Sequence, residues 1–255
     1  MSLSGAVHGR RLVILAEGHS ADPHHGKTMR GVVDYGQDHV LAVIDSERAG
    51  EQHKGIPIVA SVADAMALPG DEKPDTILVG VAPTGGKLPQ RWKDILADGV
   101  RAGLDVESGL HDFVSDDPTL ISLAQRYEVR LTDLRRPPRD LDVASGANLQ
   151  VPATIVHTVG TDCAIGKMTV SLELDREARR RGLASQFVPT GQTGIAIAGW
   201  GIGVDAVVAD FIAGAAERLV VEGYERGGTD LLWVEGQGSL LHPGYSGVTL
   251  GLFHG

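Results

Sequence analysis

The sequence predicts an α/β protein with two doubly wound domains, each built on a parallel sheet. Two observations carry this prediction. Short apolar runs alternate with longer polar segments through the first half of the chain, and a glycine-rich turn follows the β-branched run at 154–159. Strands that are apolar throughout are typical of parallel sheets covered on both faces, and the polar segments are long enough to form crossover helices.

The first domain is predicted from five apolar runs and the helix-compatible segments between them. We expect strands at 12–16, 40–44, 76–81, 104–106 and 129–131, and helices at 28–37, 89–102 and 118–127. Gly103 follows the second helix, where glycine commonly provides a left-handed C-cap. The order of elements predicts a Rossmann-like domain, but the Gly-x-Gly-x-x-Gly turn of nicotinamide-binding domains is missing after the first strand.

A segment with turn and breaker chemistry separates the two domains. It begins with Arg135-Arg136-Pro137-Pro138-Arg139-Asp140 and has little apolar content. We therefore assign residues 1–140 to the Rossmann-like domain, 141–149 to a linker and 150–255 to the second domain. In the second domain we expect further strands at 184–188 and 231–234, and a helix at 166–181 whose Val170, Leu174 and Ala178 fall at four-residue spacing on one face.

Composition and charge limit the classes of partner. The chain has 255 residues and a formal net charge of −10, so a nucleic-acid backbone is a poor partner. The single cysteine, Cys163, excludes an internal disulfide and a cysteine cluster for zinc, which fits a reducing cytoplasm. No apolar run approaches the roughly 20 residues that span a bilayer. We expect a cytoplasmic homo-oligomer that binds a small molecule, without nucleic-acid or membrane partners.

The turn after residues 154–159 has the pattern of a phosphate loop. A glycine turn between a buried strand and a helix, closed by Gly-Lys, points backbone N–H groups and a lysine at a phosphate. A glycine-rich turn without a ligand fits this context less well. We therefore assign phosphate binding to ten consecutive residues, Gly160, Thr161, Asp162, Cys163, Ala164, Ile165, Gly166, Lys167, Met168 and Thr169.

Two departures from the common P-loop bear on metal binding. Residues 161–165 separate the two glycines, one residue more than usual, and Met168 stands where a hydroxyl normally ligates Mg²⁺. A thioether is a poor ligand for so hard a cation, so the loop fits a diphosphate held without metal. We assign no metal ligands elsewhere either. His19, His24 and His25 could bind a metal, but an exposed His-rich loop is the commoner arrangement.

Two further turns follow predicted strands of the second domain. Pro189-Thr190-Gly191-Gln192-Thr193-Gly194 follows one strand, and Glu235-Gly236-Gln237-Gly238-Ser239 follows the other. Ligands of open parallel sheets bind beyond the carboxyl ends of the strands, so both turns and the phosphate loop should converge on one crevice. The substrate-binding candidates within these turns are Gln192, Thr193, Gly236 and Gln237.

These motifs, in this order, resemble the D-glutamate N-acetyltransferases, a family long described as a domain of unknown function. The first domain is similar to that family too, through Gly26-Lys27-Thr28, Val81-Ala82-Pro83-Thr84-Gly85-Gly86-Lys87 and Ser108-Gly109-Leu110-His111-Asp112-Phe113. Family members generally continue well past residue 255. We therefore expect the C-terminal part of the P-loop domain to be missing, and residues 251–255 to end the chain without a closing helix or strand.

The resemblance implies acetyl transfer from acetyl-CoA to the amine of a D-amino acid such as D-glutamate, with the phosphate loop holding the CoA diphosphate. The amine must lose a proton before it attacks the thioester, so the site needs a general base. Glu235 is the first candidate, and Asp210 and His242 are alternatives. Gln192 or the turn at 236–238 could stabilise the oxyanion.

Two candidates lie outside these turns. Arg136 could bind a substrate carboxylate in bidentate fashion, the alternative being an exposed linker residue. His111 is expected in a loop that faces the cleft between the domains. The turn Gly85-Gly86-Lys87 after the strand at 76–81 is either a second anion site or an ordinary turn.

A more distant resemblance keeps other functions open. Dethiobiotin synthetase has a loop that also begins Gly-Thr-Asp and a later strand that also ends in Val-Glu-Gly. That enzyme class uses ATP with Mg²⁺, which Met168 argues against. An ATP-dependent ligase or kinase-like enzyme and a nucleotide-sensing regulator are the alternatives to the acetyltransferase.

Overall fold

The computed structural model describes residues 9–83 and 86–255. The described residues form two compact units that divide between Leu134 and Arg135. Residues 141–149, the predicted linker, belong to the second unit, and the exact domain boundary stays a prediction. Thr84 and Gly85 of the predicted anion turn lie outside the described residues. No helix in the described part of the chain is long and apolar enough to cross a membrane.

The first unit, residues 9–134, is built on a largely parallel sheet. Its strands in chain order are β1 (Arg11–Leu15), β2 (His39–Ile44), β3 (Gln52–His53), β4 (Ile56–Val59), β5 (Thr76–Val79), β6 (Asp105–Ser108) and β7 (Leu131–Asp133). Their spatial order is β3-β4-β2-β1-β5-β6-β7. All neighbours pair in parallel except β3 with β4. The predicted parallel sheet is therefore present, with an antiparallel hairpin at one edge.

Local chemistry sets the ends of the helices that connect these strands. The helices of the described part are α1 (Lys27–Tyr35), α2 (Val62–Ala67), α3 (Gln90–Arg101) and α4 (Pro118–Tyr127). The Ser61 side chain accepts a hydrogen bond at the start of α2, and the Asp117 carboxylate accepts two at the start of α4. Gly103, with a φ of +83°, follows α3 in the left-handed conformation expected of a helix-ending glycine.

Three short elements of the first unit, β3, β4 and α2, were not predicted. The turn between β3 and β4 consists of Lys54 and Gly55, whose positive φ angles of 50° and 84° match a type I′ hairpin. The strand β7 begins at Leu131 rather than at residue 129. Glu128 adopts a φ of 55° and the Val129 N–H donates to Ala124, so residues 128 and 129 complete the cap of α4.

The topology of the first unit reverses at β1, which lies between β2 and β5. The chain runs from β1 to β2 on one side and returns to β5 on the other. In an open parallel sheet, such a reversal leaves a crevice beyond the carboxyl ends of the two strands, and ligands bind there. The residues that follow Leu15 and Val79 border this position.

The second unit, from Arg135 to Gly255, is built on a smaller parallel sheet. Its strands are β8 (Thr154–His157), β9 (Ser185–Val188) and β10 (Leu231–Val234), in the spatial order β8-β10-β9. The helices are α5 (Lys167–Arg180), α6 (Gln192–Ala198), α7 (Ile212–Glu225) and α8 (Ser246–Phe253). An apolar core that includes Trp200, Leu219 and Leu232 joins strands β9 and β10 to helices α7 and α8.

The apolar face of α5 noted in the sequence is exposed at two of its three positions. Val170 and Leu174 are 50% and 39% exposed, whereas Ser171 and Asp175 are buried with Ala178. The inward polar residues have partners. The Ser171 hydroxyl lies 2.9 Å from the hydroxyl of Thr158, and Asp175 accepts from the Ser185 hydroxyl at 2.6 Å. Polar contacts with the sheet therefore decide which face of α5 is inward.

The prediction that no helix closes the chain is wrong, because α8 occupies Ser246–Phe253. Its sequence, Ser-Gly-Val-Thr-Leu-Gly-Leu-Phe, has no amphipathic period that would predict a helix. Gly251 explains how the helix packs. A Cβ there would lie 2.5 Å from Cγ2 of Ile212, so the missing side chain allows α8 to approach α7 closely.

His157, at the end of β8, is a half-buried side chain whose two ring nitrogens are shielded from solvent. Its ring lies edge-on to Phe253 with 5.2 Å between ring centroids. Neither ring nitrogen has a hydrogen-bond partner among the described residues, and burial lowers the pKa of the imidazole below its usual value. The unfolded chain therefore binds a proton more readily than the folded chain as pH falls through about 6.5.

We predict that replacing this imidazole stabilises the fold and reduces its sensitivity to acid. The free energy of unfolding should be highest above about pH 6.5 and should fall as pH decreases toward the lowered pKa of His157. His157→Phe should raise stability at neutral pH by about 1 kcal/mol and weaken that dependence. Urea unfolding at pH values on either side of this range measures both effects. An unchanged pH dependence in His157→Phe would contradict the prediction.

Candidate phosphate-loop site

Three loops of the second unit meet at one edge of its sheet. Because β8, β9 and β10 are parallel, their carboxyl ends share that edge. The loop after the central strand β10 contacts both others. Gly236 and Ser239 bond to residues that follow β8, and Glu235 bonds to residues that follow β9. The convergence of the three turns is confirmed.

The phosphate loop, residues 160–169, turns directly into α5. Ala164 and Gly166 have φ angles of 56° and 101°, and Gly166 is the N-cap of the helix. The Lys167 ammonium folds back over the loop and donates to the carbonyl of Asp162 at 2.8 Å. Residues 161–165 are exposed. The loop therefore presents a lysine and a helix N-terminus beside an accessible stretch of backbone.

Two glycines allow the loops to approach each other. A Cβ on Gly236 would overlap the carbonyl oxygen of Thr158 and lie 2.9 Å from Cδ of Lys167. A Cβ on Gly160 would lie 2.5 Å from Cδ1 of Ile165. The Gly236 N–H also donates to the Thr158 hydroxyl at 3.0 Å. These contacts fix the base of the phosphate loop against the end of β10.

The loop after β10 continues along the outside of the phosphate loop. The Ser239 hydroxyl donates to the carbonyl of Thr161 at 3.0 Å, and the Leu240 N–H donates to the carbonyl of Gly160 at 2.8 Å. Cys163 has an exposed thiol 3.8 Å from the Gly238 carbonyl. Two loops distant in sequence thus form one continuous surface.

Glu235, the first candidate base, is buried at 3% exposure. Its Oε2 accepts from the N–H groups of Thr190 and Gly191 at 2.9 and 3.0 Å, and the Thr190 hydroxyl donates to the Glu235 carbonyl at 2.7 Å. A Cβ on Gly194 would overlap the carboxylate, so α6 passes directly over it. The carboxylate therefore holds the turn after β9 against β10.

The glutamine and threonine candidates lie on either side of this contact. The Gln237 side chain covers Gly191, where a Cβ would lie 2.9 Å from the amide carbon, and the Gln237 carbonyl accepts from Thr249 of α8 at 2.8 Å. Gln192 is the half-buried first residue of α6, and Thr193 is buried. The structure thus places all four turn candidates, including Gly236, at the same edge of the sheet.

The two alternative bases lie in different surroundings. His242 is exposed in the loop after β10, where its backbone N–H donates to the Ser239 hydroxyl at 2.9 Å. Its Nδ1 accepts from the Gly244 N–H at 3.1 Å, and its ring stacks on Tyr245. A neutral imidazole with Nδ1 as acceptor carries its proton on Nε2. Asp210 is exposed in a short 3-10 turn before α7.

The two candidates outside the turns belong to different units. Arg136 is exposed in the second unit, next to the buried Arg135, which pairs with Asp205. His111 lies in the first unit, packed on Gly86, whose carbonyl accepts from the His111 N–H at 3.1 Å. The roles of both residues stay predictions.

Sequence reasoning missed three residues that organise the site, Thr158, Thr190 and Ser239. Each lies two positions from an assigned residue and contributes a hydroxyl to a hydrogen bond with another loop. A signal was available in their position, since Thr158 directly follows β8 and the other two belong to the quoted turns. Their partners are distant in sequence, so the pattern alone could not assign the contacts.

Comparison with known proteins identifies the class of both domains. The Rossmann-like N-terminal domain of DUF1611, a domain of unknown function, matches residues 44–137. The P-loop C-terminal domain of the same family matches residues 142–255. The protein is therefore of the class that joins a Rossmann-like to a P-loop domain, and the predicted fold class is confirmed.

Two curated relatives are named D-glutamate N-acetyltransferase. The protein from Tritonibacter scottomollicae is 37% identical over 244 residues, which cover 95% of this chain and 69% of that relative. A protein from a Pseudoalteromonas species is 41% identical over 180 residues, which cover 71% of this chain but only 53% of that relative. A crystal structure of a DUF1611 family protein from Anabaena variabilis matches with a TM-score of 0.87 at 40% identity, over 97% of this chain and 71% of that one.

The chain belongs to the DUF1611 family, the family of the D-glutamate N-acetyltransferases. The resemblance carried by the motifs is confirmed, and with it the expectation of an enzyme from an N-acetyltransferase family.

We predict that Gly236→Ala disrupts this site. A methyl group at that position would overlap the Thr158 carbonyl, so β10 or the phosphate loop must shift. Such overpacking should lower the free energy of unfolding by roughly 1–3 kcal/mol. Gly247→Ala in α8 is the matched control, because a Cβ there has nothing within 4 Å. Thermal unfolding of both variants measures the difference, and equal midpoints would contradict the close approach.

Proposed function

We propose that the protein is an acetyl-CoA-dependent N-acetyltransferase acting on a D-amino acid, with D-glutamate as the first substrate to test. The observation that carries the proposal is the phosphate loop, which combines a lysine and a helix N-terminus with two converging polar turns. The names of two curated relatives, both D-glutamate N-acetyltransferases, support the reaction and the substrate.

The electrostatics of the loop fit a diphosphate. The first turn of α5 carries no acidic residue, so no carboxylate there opposes an anion at the positive end of the helix dipole. Lys167 is the only lysine between residues 135 and 255, and its ammonium donates to a carbonyl. By contrast, three arginines at the other end of α5 pair with acidic side chains of the same helix. The loop therefore offers one ammonium group beside a helix N-terminus within an acidic protein.

Residues 160–169 would hold the diphosphate of acetyl-CoA, and the bound molecule would supply the acetyl group as a thioester. The chain itself must then accept a proton from the amine and stabilise negative charge on the thioester oxygen. The N–H groups of the 236–238 turn and Gln192 are candidates for the second task. His242, with its proton on Nε2, is better suited to donate a hydrogen bond than to remove a proton.

Glu235 is compatible with two roles, that of the amine base and that of a positioning residue. As the amine base it would need a carboxylate oxygen in contact with the substrate. As a positioning residue it would act through the turn after β9, whose two N–H groups already bond to Oε2. The low exposure of the side chain favours the positioning role. Asp210 and Arg136, both exposed, are retained as the alternative base and as a candidate for the substrate carboxylate.

We predict that Lys167→Ala weakens acetyl-CoA binding about ten- to a hundredfold, because it removes a charge-assisted contact worth roughly 1.5–3 kcal/mol. Arg180→Ala is the matched control, since it removes the same charge from the opposite end of α5. Calorimetric titration with acetyl-CoA measures both. If Lys167→Ala binds as tightly as the parent protein, the loop is structural and the proposal fails.

We predict that acetyl transfer to D-glutamate continues in EDTA. Met168 replaces the hydroxyl that would ligate Mg²⁺, so the diphosphate is held by N–H groups and Lys167. Initial rates with and without chelator test this. Loss of turnover in EDTA, with recovery on adding Mg²⁺ alone, would favour an ATP-dependent ligase or kinase-like enzyme. Met168→Thr tests the converse, since the hydroxyl should raise affinity for Mg²⁺-ATP if the loop otherwise resembles that of an NTPase.

We predict that Glu235→Gln retains turnover within about tenfold of the parent rate and leaves the pH profile unchanged, because a glutamine oxygen can still accept the two backbone N–H groups. Glu235→Ala should lose far more activity. The pH profile of the turnover rate separates the roles. If Glu235→Gln instead slows turnover by about a hundredfold or more and removes the acidic limb, Glu235 is the base.

A further inference from the structure

The loop after β1 brings three metal-binding side chains together. His19, Asp22 and His25 each offer one ligand atom, and these atoms all lie within 4.8 Å of one another. The rings of the two histidines are 5.1 Å apart, and Asp22 Oδ2 lies 2.6 Å from Nδ1 of His25. All three side chains are half-buried, so a solvent ion can reach them.

The cluster lies where the topology of the first unit reverses. The carbonyl of His25 accepts from the Ala82 N–H at 2.9 Å, and the Met29 N–H donates to the carbonyl of Gly80 at 2.8 Å. Gly80 and Ala82 follow β5, while His19 follows β1. The cluster therefore borders the crevice between the two strands, the position at which open parallel sheets bind ligands.

Groups outside the cluster hold the loop in this shape. The buried carboxylate of Asp45, at the end of β2, accepts from the N–H groups of Gly18 and Ser20, on either side of His19. The His19 ring also packs edge-on against Trp92, with 5.9 Å between centroids. Gly26 closes the loop, because a Cβ there would lie 2.7 Å from the carbonyl oxygens of Asp22 and His19. The positions of the donors are thus set by surrounding structure.

We propose that His19, Asp22 and His25 bind one divalent first-row transition ion, with Zn²⁺ as the representative. Two imidazoles and one carboxylate suit Zn²⁺ and its neighbours in the series, whereas Mg²⁺ and Ca²⁺ prefer oxygen ligands. On binding, the ion would take the place of the hydrogen bond between Asp22 Oδ2 and Nδ1 of His25, with the neutral imidazole carrying its proton on Nε2. Three protein ligands leave at least one coordination position of the ion open.

The folded loop selects different residues from those suggested by sequence. The sequence pattern offers His19, His24 and His25, but His24 is exposed and lies outside the cluster. Asp22 takes its place. The Oδ1 atom of Asp22 accepts from the N–H groups of His24 and His25 at 2.7 and 3.1 Å, which leaves Oδ2 for His25 or an ion.

The test is titration of the full chain, stripped of metal with EDTA and desalted, with Zn²⁺ in a calorimeter and with Co²⁺ in a spectrophotometer. We expect one Zn²⁺ per chain and visible d–d bands from bound Co²⁺. His19→Ala, His25→Ala and Asp22→Asn should each weaken Zn²⁺ binding by about tenfold or more. Asp22→Asn keeps an oxygen for the loop N–H groups, so this variant separates loss of a ligand from loss of the loop.

His24→Ala is the matched control, because it removes an imidazole from the same loop but outside the cluster, and its Zn²⁺ affinity should stay within about twofold of the parent value. Circular dichroism confirms that the variants are folded. Equal losses in His24→Ala and His25→Ala, binding of several ions, or affinity unchanged in Asp22→Asn would show non-specific binding to surface histidines and overturn the proposal. Acetyl transfer is not the readout, so this result is independent of the proposed function.

Discussion

The candidate site of the second unit depends on how closely the carboxyl end of β10 approaches its two neighbours. On the β8 side, Gly236 leaves no room for a side chain beside Thr158. On the β9 side, Glu235 accepts two N–H groups from the next turn. Two successive residues, one without a side chain and one with a buried carboxylate, thus attach both outer loops to the central strand. The position of Lys167 follows, because Gly236 also lies against its side chain.

The elements that sequence could predict are those set by local pattern. Buried parallel strands are continuous apolar runs, and the phosphate loop is a contiguous motif, so both were found near their observed bounds. The inward face of α5 could not be predicted in this way. Its buried residues Ser171 and Asp175 form hydrogen bonds with hydroxyl groups at the sheet, and the periodicity of the sequence does not indicate these contacts. The helix α8 was missed for a related reason. Glycine has a low helix propensity, but Gly251 allows α8 to pack closely against α7.

The candidate site also has features that the sequence could predict and features that it could not. The turns could be predicted to meet, because parallel strands share a carboxyl edge. The contacts of Glu235 with Thr190 and Gly191 could not be predicted, because they join segments about 45 residues apart. These contacts favour a positioning role for Glu235 over the role of amine base. Asp22 was not predicted as a ligand, although His19, Asp22 and His25 are spaced three residues apart in each step. Only the folded loop brings their ligand atoms within 4.8 Å of one another.

The two units use equivalent positions for opposite chemistry. Each has a loop and a helix directly after its first strand, at the carboxyl edge of a parallel sheet. In the second unit this loop offers an ammonium and a helix N-terminus, which attract anions. In the first unit it offers imidazoles and a carboxylate, which donate electron pairs to cations. The backbone topology therefore places both loops at the carboxyl edge of a sheet, whereas the side chains of each short loop determine whether it suits an anion or a cation.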